Sequence, residues 1–594
     1  MTHQIEFQPM GRRFSCKEET TIYEAARDAG ILLTSTCGGR MTCGRCRVRV
    51  LAGETSPLDK DERAILGAED ATVGFRLACA AQVLGDLTVH VPPPSLTAIQ
   101  RLALSGKEPA LSLDPVVTAY QLSVQEPGLE TPLADWENIS QGLEAIYGFK
   151  ELRPDLAMLR DLPSVLRSSR AITAIVRSDE VIQVGPQDGR LLGLALDIGT
   201  TKIAAYLVDL SNGQTLAARG MVNPQVIYGE DVMSRLSYAM KGHAKELKES
   251  LVGAINTLIA EVTGNPEGVI EVVVVGNSAM HHLFLELPVR QLGQAPYRPV
   301  VRCGIEMKAS RLGLRTAPGA YAYFLPNIAG FVGADHVAML LACGLHEAET
   351  TMLGIDIGTN TEIALAAGGT MTTLSCASGP AFEGAGIAHG MMANHGAIEK
   401  VRIVEDRVYM DVIGNVPPTG ICGSGILDAI SEMRKKRIID HRGRLQDHPL
   451  VHRRAGGGEF LLASADATGM NRPIVVTQQD IGAIQLAKTA IRTGINILLA
   501  EAGVRDDEIS EVIIAGSFGS YFDVSSAIGT GMLPNLPLER FSQVGNAAGV
   551  GAKLALVSRK NRATAEAISK RARYIELTRH PMFRRRFSRA LPFP

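Results

Sequence analysis

The chain has 594 residues, a net charge of −2, 46% hydrophobic and 5% aromatic residues, and 60 glycines. This length predicts three or four domains, and the composition is that of an ordinary α/β protein. The near-neutral charge speaks against general nucleic-acid binding, and no apolar run approaches the roughly 18–20 residues that span a bilayer, so neither nucleic acid nor membrane is an expected partner.

Residues 1–92 read as one compact domain. Gln4–Phe7 and Arg13–Cys16 predict a hairpin. Thr21–Ala29 predicts a short helix ending at Gly30, a natural C′ glycine. Arg47–Leu51 alternates as a strand, Leu77–Ala80 carries a cysteine, and Leu87–Val91 is expected to close the sheet. Between helix and strand lies TSTCGGRMTCGRCRVRV. Cys37, Cys43 and Cys46 stand there as C-x5-C-x2-C, with Cys79 as a distant fourth. Four thiolates, three in one loop and one apart, are the pattern that holds a [2Fe-2S] cluster. Gly38, Gly39 and Gly44 let the loop fold tightly around an inorganic cage. Structural zinc more often takes two C-x2-C-like pairs, and only half of this set has that spacing. A disulfide framework does not suit a long chain whose N-terminal MTHQIEFQPMGRRF lacks the apolar core of a signal peptide. The remaining cysteines (Cys16, Cys303, Cys343, Cys376 and Cys422) are scattered, which suits a reducing cytoplasm.

Pro92-Pro93-Pro94 ends this domain, and residues 93–112 read as a partly stiff linker. Residues 113–189 read as a small α/β unit. VVTAYQLSV is a strand, Thr131–Tyr147 and Pro154–Asp161 are helical, and Ala171–Val176 with Glu180–Val184 forms a hairpin. It carries no evident chemistry and reads as a spacer or docking module.

Residues 190–594 contain an internal repeat. LALDIGTTKIAAYLV at 194–208 matches LGIDIGTNTEIALAA at 353–367, so Asp197, Gly199 and Thr200 fall on Asp356, Gly358 and Thr359. Each copy is an apolar strand ending in Asp, a Gly-Thr turn and a second apolar strand. Such a turn lets backbone N–H groups and threonine hydroxyls approach phosphate oxygens. The strand-end carboxylate can hold a hydrated Mg2+. VIIAGSFGS at 512–520 is a third apolar strand running into a glycine-rich turn. No P-loop motif is present. Lys202 reads equally well as a phosphate contact or as a surface lysine at a strand end.

These motifs resemble the superfamily of acetate and sugar kinases, heat-shock chaperone ATPases and actin. Asp197 to Lys202 would be its first phosphate motif, Asp356 to Thr361 its second, and Gly516 to Gly519 its adenosine motif. The resemblance implies an ATP site with Mg2+ in a two-lobed ATPase. Asp197 and Asp356 would be its catalytic carboxylates. Gly199, Thr200, Thr201, Lys202, Gly358, Thr359, Asn360, Gly516, Ser517 and Gly519 would be its nucleotide contacts. The strand-rich N-terminal domain resembles the β-grasp ferredoxins. The expected architecture is therefore an α/β multidomain chain: a β-grasp ferredoxin, a small α/β middle domain and an actin-like ATPase.

The combination resembles the reductive activators of corrinoid-dependent proteins. NPQVIYGEDVMSRLSYA, VGNSAMHHLFL, LPNIAGFVGAD, SGPAFEGAGI and GICGSGILDAI carry that likeness along the chain. It implies ATP-dependent return of one electron to the Co(II) corrinoid of a partner protein or methyltransferase, restoring Co(I). It also implies an upstream low-potential donor, and a homodimer is compatible with it. The chain has no D-x-H-x-x-G of the kind that ligates cobalt in corrinoid carriers, so the corrinoid belongs to the partner. Two other readings stay open: an activator of a 2-hydroxyacyl-CoA dehydratase-type enzyme, and a nucleotide-gated electron carrier or sensor. Cys376 and Cys422 could serve the former as cluster ligands, or be ordinary buried thiols. His281 and His282 read as core or cap residues. Segment 556–594, with 11 Lys or Arg against two Glu, reads as a solvated helix or as a dock for an acidic partner.

Overall fold

The computed structural model describes residues 2–8, 12–29, 31, 33, 41, 46–66, 71–72, 74–92, 95, 112–124, 133–186, 190–229, 231–384, 386–454, 457–468, 472–516, 518–519 and 522–594. Cys37, Cys43, the loop glycines 38, 39 and 44, Ser517 and nearly all of the linker 93–112 lie outside them. The chain divides into two compact units: 1–109 with 343–547 and 572–594, and 110–342 with 548–571.

The N-terminal domain is a five-stranded mixed sheet with a helix against it. Thr2–Gln8 and Arg12–Lys17 form the expected hairpin. The helix Ile22–Asp28 starts on a capping box between Thr21 and Glu24. Leu87–His90 does not close the sheet: it lies at its centre, parallel to Thr2–Gln8 and antiparallel to Arg47–Ala52, with Phe75–Leu77 at the edge. Its alternate side chains Leu87 and Val89 are buried with Ile5, Phe7 and Val48 in one apolar core. An unforeseen helix, Lys60–Leu66, carries the buried Glu62.

The small unit expected at 113–189 holds a four-stranded sheet ordered Val117–Ser123, Ala171–Arg177, Glu180–Pro186, Arg153–Pro154, with helices Asp135–Tyr147 and Leu156–Ser168. The second helix runs through Pro163 and does not stop at Asp161. Met158, Leu162 and Leu166 are buried along one stripe, and that burial outweighs the backbone bond lost at proline. Arg177, at the end of its strand, reaches the adjoining lobe. Its Nε lies 3.0 Å from Glu271 Oε2, and Arg562 holds Glu271 Oε1 at 2.8 Å. All three side chains are buried, so this region is fixed to that lobe by a paired, desolvated charge cluster.

The two repeat copies lie in sheets of matching order. The first runs Thr215–Val222, Lys202–Asp209, Leu192–Ile198, Val269–Gly276, Tyr321–Phe324 and Ile305–Lys308. The second runs Arg573–Tyr574, Thr370–Cys376, Thr361–Ala367, Met352–Ile357, Glu511–Ala515 and Phe541–Gly545. The antiparallel trio Thr215–Val222, Lys202–Asp209, Leu192–Ile198 matches Thr370–Cys376, Thr361–Ala367, Met352–Ile357, and each is followed by two parallel strands, so the sequence repeat is a structural duplication. Arg573–Tyr574, parallel to Thr370–Cys376, and the antiparallel Ile305–Lys308 have no counterpart. Every residue of Val269–Gly276 is buried, as expected for a parallel strand covered on both faces. No described helix is long and apolar enough to cross a membrane.

Candidate functional site

Two of the four expected cluster cysteines are described, and the fold brings them together. Cys46 immediately precedes the strand Arg47–Ala52, and Cys79 lies in the turn after Phe75–Leu77. These strands pair antiparallel, and Ala78 N donates to Cys46 O at 2.8 Å. The two sulfurs stand 3.3 Å apart and are not disulfide-linked. A disulfide requires about 2.05 Å. Two thiolates on one tetrahedral metal, with bonds near 2.3 Å, stand roughly 3.8 Å apart. The 3.3 Å contact excludes a disulfide and brings the two thiols near to that spacing. Cys46 is buried and Cys79 half-buried, which places the thiols at the edge of the core rather than in open solvent.

The turn carrying Cys79 is held from behind. Glu62, 1% exposed, accepts from Arg76 Nε at 2.9 Å, from Arg76 Nη2 at 2.8 Å and from Leu77 N at 2.7 Å. Arg76 Nη1 donates to Thr55 Oγ1 and Ser56 O, each at 2.7 Å. A two-pronged, desolvated pair of this kind fixes direction as well as position.

In the first lobe, Asp197 is the last but one residue of the inner strand Leu192–Ile198 and pairs with Ala204 across the hairpin and Val275 on the parallel side. Gly199 N donates to Lys202 O at 2.9 Å and closes the turn. Asn223 Nδ2 donates to Gly199 O at 2.9 Å, and Asn223 N to Thr201 O at 2.8 Å. Asn277 Nδ2 donates to Thr200 Oγ1 at 2.9 Å. Asn277 also caps the helix Ser278–Phe284 through Ala279 N and Met280 N. Gly276, just before it, lies beside Ile198, where a Cβ would come 2.6 Å from Ile198 O. Lys202 is the half-buried first residue of its strand.

The second lobe repeats this plan. Asp356 pairs with Glu362 and Ala515, and Gly358 N donates to Asn360 O at 3.2 Å. Thr359 donates to Glu383 Oε1 at 2.7 Å. The hydroxyls of Thr361 and Ser378 lie 2.8 Å apart. Gly516 follows the parallel strand Glu511–Ala515, close to the place of Gly276, the last residue of its strand, in the first lobe. Its φ is +93°, and a Cβ there would come 2.4 Å from Ile357 O and 2.7 Å from Asp356 Oδ1. Only glycine lets the third motif lie directly on the second. Gln543 Nε2 bonds Gly519 O at 2.6 Å, and Phe518 stacks on Phe382 at 4.7 Å. Thus Asp356, Gly358, Thr359, Asn360, Gly516 and Gly519 are one local constellation, as are Asp197, Gly199, Thr200, Thr201 and Lys202.

Sequence reading did not single out Asn223, Asn277, Ser378 or Glu383. All four stand in stretches quoted above for their family likeness. The available signal was VVVVGNS against VIIAGSF, one strand-to-glycine transition repeated in both lobes.

The remaining candidates have structural surroundings. Cys376 Sγ lies 3.3 Å from Thr361 O and Cys422 Sγ 3.3 Å from Ile398 O. Burial pushes both thiols up, the direction of an unreactive thiol. His282 sits between Ser278 O (Nδ1, 2.6 Å) and Val300 N (Nε2, 2.9 Å), which makes it a neutral internal brace. His281 is buried beside Phe324, and burial pushes it down to about 3.

Comparison with known proteins covers nearly the whole chain. Family profiles match residues 350–594 (C-terminal domain of RACo, the ASKHA domain), 192–348 (RACo middle region), 106–190 (RACo linker region) and 5–84 (2Fe-2S iron-sulfur cluster binding domain). The corrinoid activation enzyme RamQ of Eubacterium limosum is 31% identical, covering 98% of this chain and 97% of the relative. The [Co(II) methylated amine-specific corrinoid protein] reductase of Methanosarcina barkeri is 28% identical, covering 60% of this chain and 68% of the relative. A solved structure titled reductive activator for corrinoid, iron-sulfur protein aligns with a TM-score of 0.74 at 33% identity, covering 100% of this chain and 98% of that one.

Proposed function

The chain belongs to the family of reductive activators of corrinoid proteins, and from that premise we propose how its residues divide the work. The activity is ATP-dependent one-electron reduction of a partner's Co(II) corrinoid to Co(I). The N-terminal domain holds an iron-sulfur cluster, of [2Fe-2S] type in this reading, with Cys37, Cys43, Cys46 and Cys79 as ligands. Bound there, the cluster supplies a one-electron carrier of low potential, about −400 mV for plant-type relatives. The protein's own part is to keep the thiols converged. Ala78 N bonds Cys46 O, and the Glu62–Arg76 pair holds the strand that leads to Cys79.

The two hairpins receive nucleotide phosphates. Thr200 and Thr359 are each 8% exposed. Asn277 donates to the Thr200 hydroxyl and so leaves its hydrogen to a phosphate oxygen, whereas the Thr359 hydroxyl donates to Glu383 and would exchange that bond to donate to one. Asp197 and Asp356 stand at equivalent strand ends, where each would hold a water of a hydrated Mg2+. ATP enters because Co(II)/Co(I) couples lie lower than such a cluster, and every roughly 59 mV of uphill one-electron transfer costs a factor of ten. Nucleotide binding or turnover offsets that cost by favouring a partner complex in which cobalt is easier to reduce. An upstream low-potential donor refills the cluster. None of the described cysteines is disulfide-linked, in keeping with a cytoplasmic setting.

The observation that carries this reading is the convergence of Cys46 and Cys79 in a chain that also holds the duplicated hairpin. Its test is Asp356→Asn in an anaerobic assay with a reductant and a Co(II) corrinoid protein. The expected result is an ATP-dependent rate at least about 100-fold lower, with the visible spectrum of the iron-sulfur domain unchanged. An undiminished rate would remove the second hairpin from the mechanism.

A further inference from the structure

The fold places two basic segments, distant in sequence, side by side within the unit that holds the second repeat copy. One is RKKRIIDHRGR, residues 434–444, whose single acid is Asp440. The other is the C-terminal helix Phe583–Ala590, FRRRFSRA. Arg434 Nε donates to Pro594 O at 2.8 Å, and Phe593 N to His441 O at 2.8 Å. Gln485 Nε2 joins Leu591 O at 2.9 Å to Arg442 O at 3.4 Å.

The C-terminal segment is anchored firmly. Phe583 and Phe587 pack on the lobe's apolar core, which also holds Phe593. Lys488 is 1% exposed and donates to Ala590 O at 2.6 Å and Pro592 O at 2.7 Å. The fold thus buries a lysine to hold a helix whose outward side chains are Arg584, Arg585 and Arg589. Lys436, Arg437, Arg442 and Arg444 are exposed on the neighbouring segment. Asp440, which accepts from the backbone N of Arg442 and Arg444, and Glu432, paired with Lys435, offset only part of this charge, so the surface stays net positive. Like charges gathered this way repel, and the cost is relieved when acidic groups face them.

We infer that the surface formed by residues 434–444 and the helix Phe583–Ala590 docks an acidic face of the corrinoid-bearing partner. This rests on the functional reading above. The chain's net charge is −2, so outside this patch the molecule is acidic and repels an extended polyanion. The helix's aromatic rings face the core, leaving no platform for stacking bases. An acidic protein surface is the remaining complement.

The test uses the full chain and a Co(II) corrinoid protein that the wild type reduces. The triple variant Arg584→Glu, Arg585→Glu, Arg589→Glu should raise KM for that protein about tenfold or more, with kcat and partner-free ATP turnover unchanged. Arg584→Gln, Arg585→Gln, Arg589→Gln should fall between, and Arg311→Glu, Arg315→Glu on the other unit should match wild type. Wild-type kcat/KM should fall steeply from about 25 to about 300 mM NaCl, and the triple variant should lose that dependence. Equal KM in variant and active wild type would overturn the dock alone. A wild type that reduces no Co(II) corrinoid protein would overturn the functional reading and the dock with it. Binding of a DNA 20-mer at ~150 mM salt, lost in the triple variant, would reassign the surface to nucleic acid.

Discussion

Glu62, Gly516 and His281 each do one physical job that a single substitution isolates. Glu62 holds Arg76 behind the Cys79 turn from a nearly inaccessible position. Glu62→Leu leaves a largely buried guanidinium uncompensated and should cost about 3–5 kcal/mol of ferredoxin-domain stability. The variant should lose iron on dilution faster than wild type; equal retention would show that the pair does not support the cysteines. Gly516→Ala would push a methyl against Ile357 O and Asp356 Oδ1 at a left-handed φ. Nucleotide affinity should drop about tenfold or more by calorimetry, with cluster content unchanged. His281 is neutral in the fold, pushed down to about 3 by burial, and titrates near 6.5 when unfolded. Between those values the unfolded chain binds the extra proton. The stability contribution is therefore present in full above pH 6.5 and is lost as pH falls towards 3, at about 1.4 kcal/mol per unit. Hydrogen exchange of the strand Val269–Gly276 should accelerate from pH 6.5 to 5 beyond the intrinsic pH effect, and His281→Leu should remove part of that acceleration.

At the scale of elements, the hairpins were the most legible feature, because Asp-Ile-Gly-Thr between two apolar strands states its turn and its register locally. The capping box of Thr21 and Glu24 is similarly local. Less legible was anything decided by a distant partner. Leu87–His90 reads as a strand from its own alternation, but its central place depends on Thr2–Gln8 pairing parallel to it. The helix through Pro163 depends on an apolar bed that a proline rule does not see. Asn277 is an ordinary cap in sequence and reaches Thr200 only because Val269–Gly276 runs beside Leu192–Ile198. Asn277→Ala removes both the cap and the Thr200 bond. It should cost about 1 kcal/mol of stability and weaken nucleotide binding severalfold, whereas Asn277→Asp, which keeps the cap, should recover the stability but not the affinity. Recovery of both would mean that Thr200 needs no orienting donor.

For the whole molecule, family membership and a duplicated sheet order converge on one design: an iron-sulfur domain on one chain with an ATPase built on a duplicated sheet. Reading 93–112 as a tether gives this design a mechanical consequence, since a tether raises local concentration while permitting exchange between donor and acceptor. Removing about half of it should slow cobalt reduction while leaving the cluster spectrum and ATP turnover as they are; an unchanged rate would show that the linker has no such part. The central claim is ATP-dependent delivery of one electron to a partner's cobalt. The most direct measurement is anaerobic absorbance of a Co(II) corrinoid protein mixed with this chain and a low-potential reductant, with and without Mg-ATP, beside the Cys79→Ala variant. The account predicts Co(I) formation that requires both ATP and Cys79. Co(I) forming equally without ATP, or equally in Cys79→Ala, would contradict it.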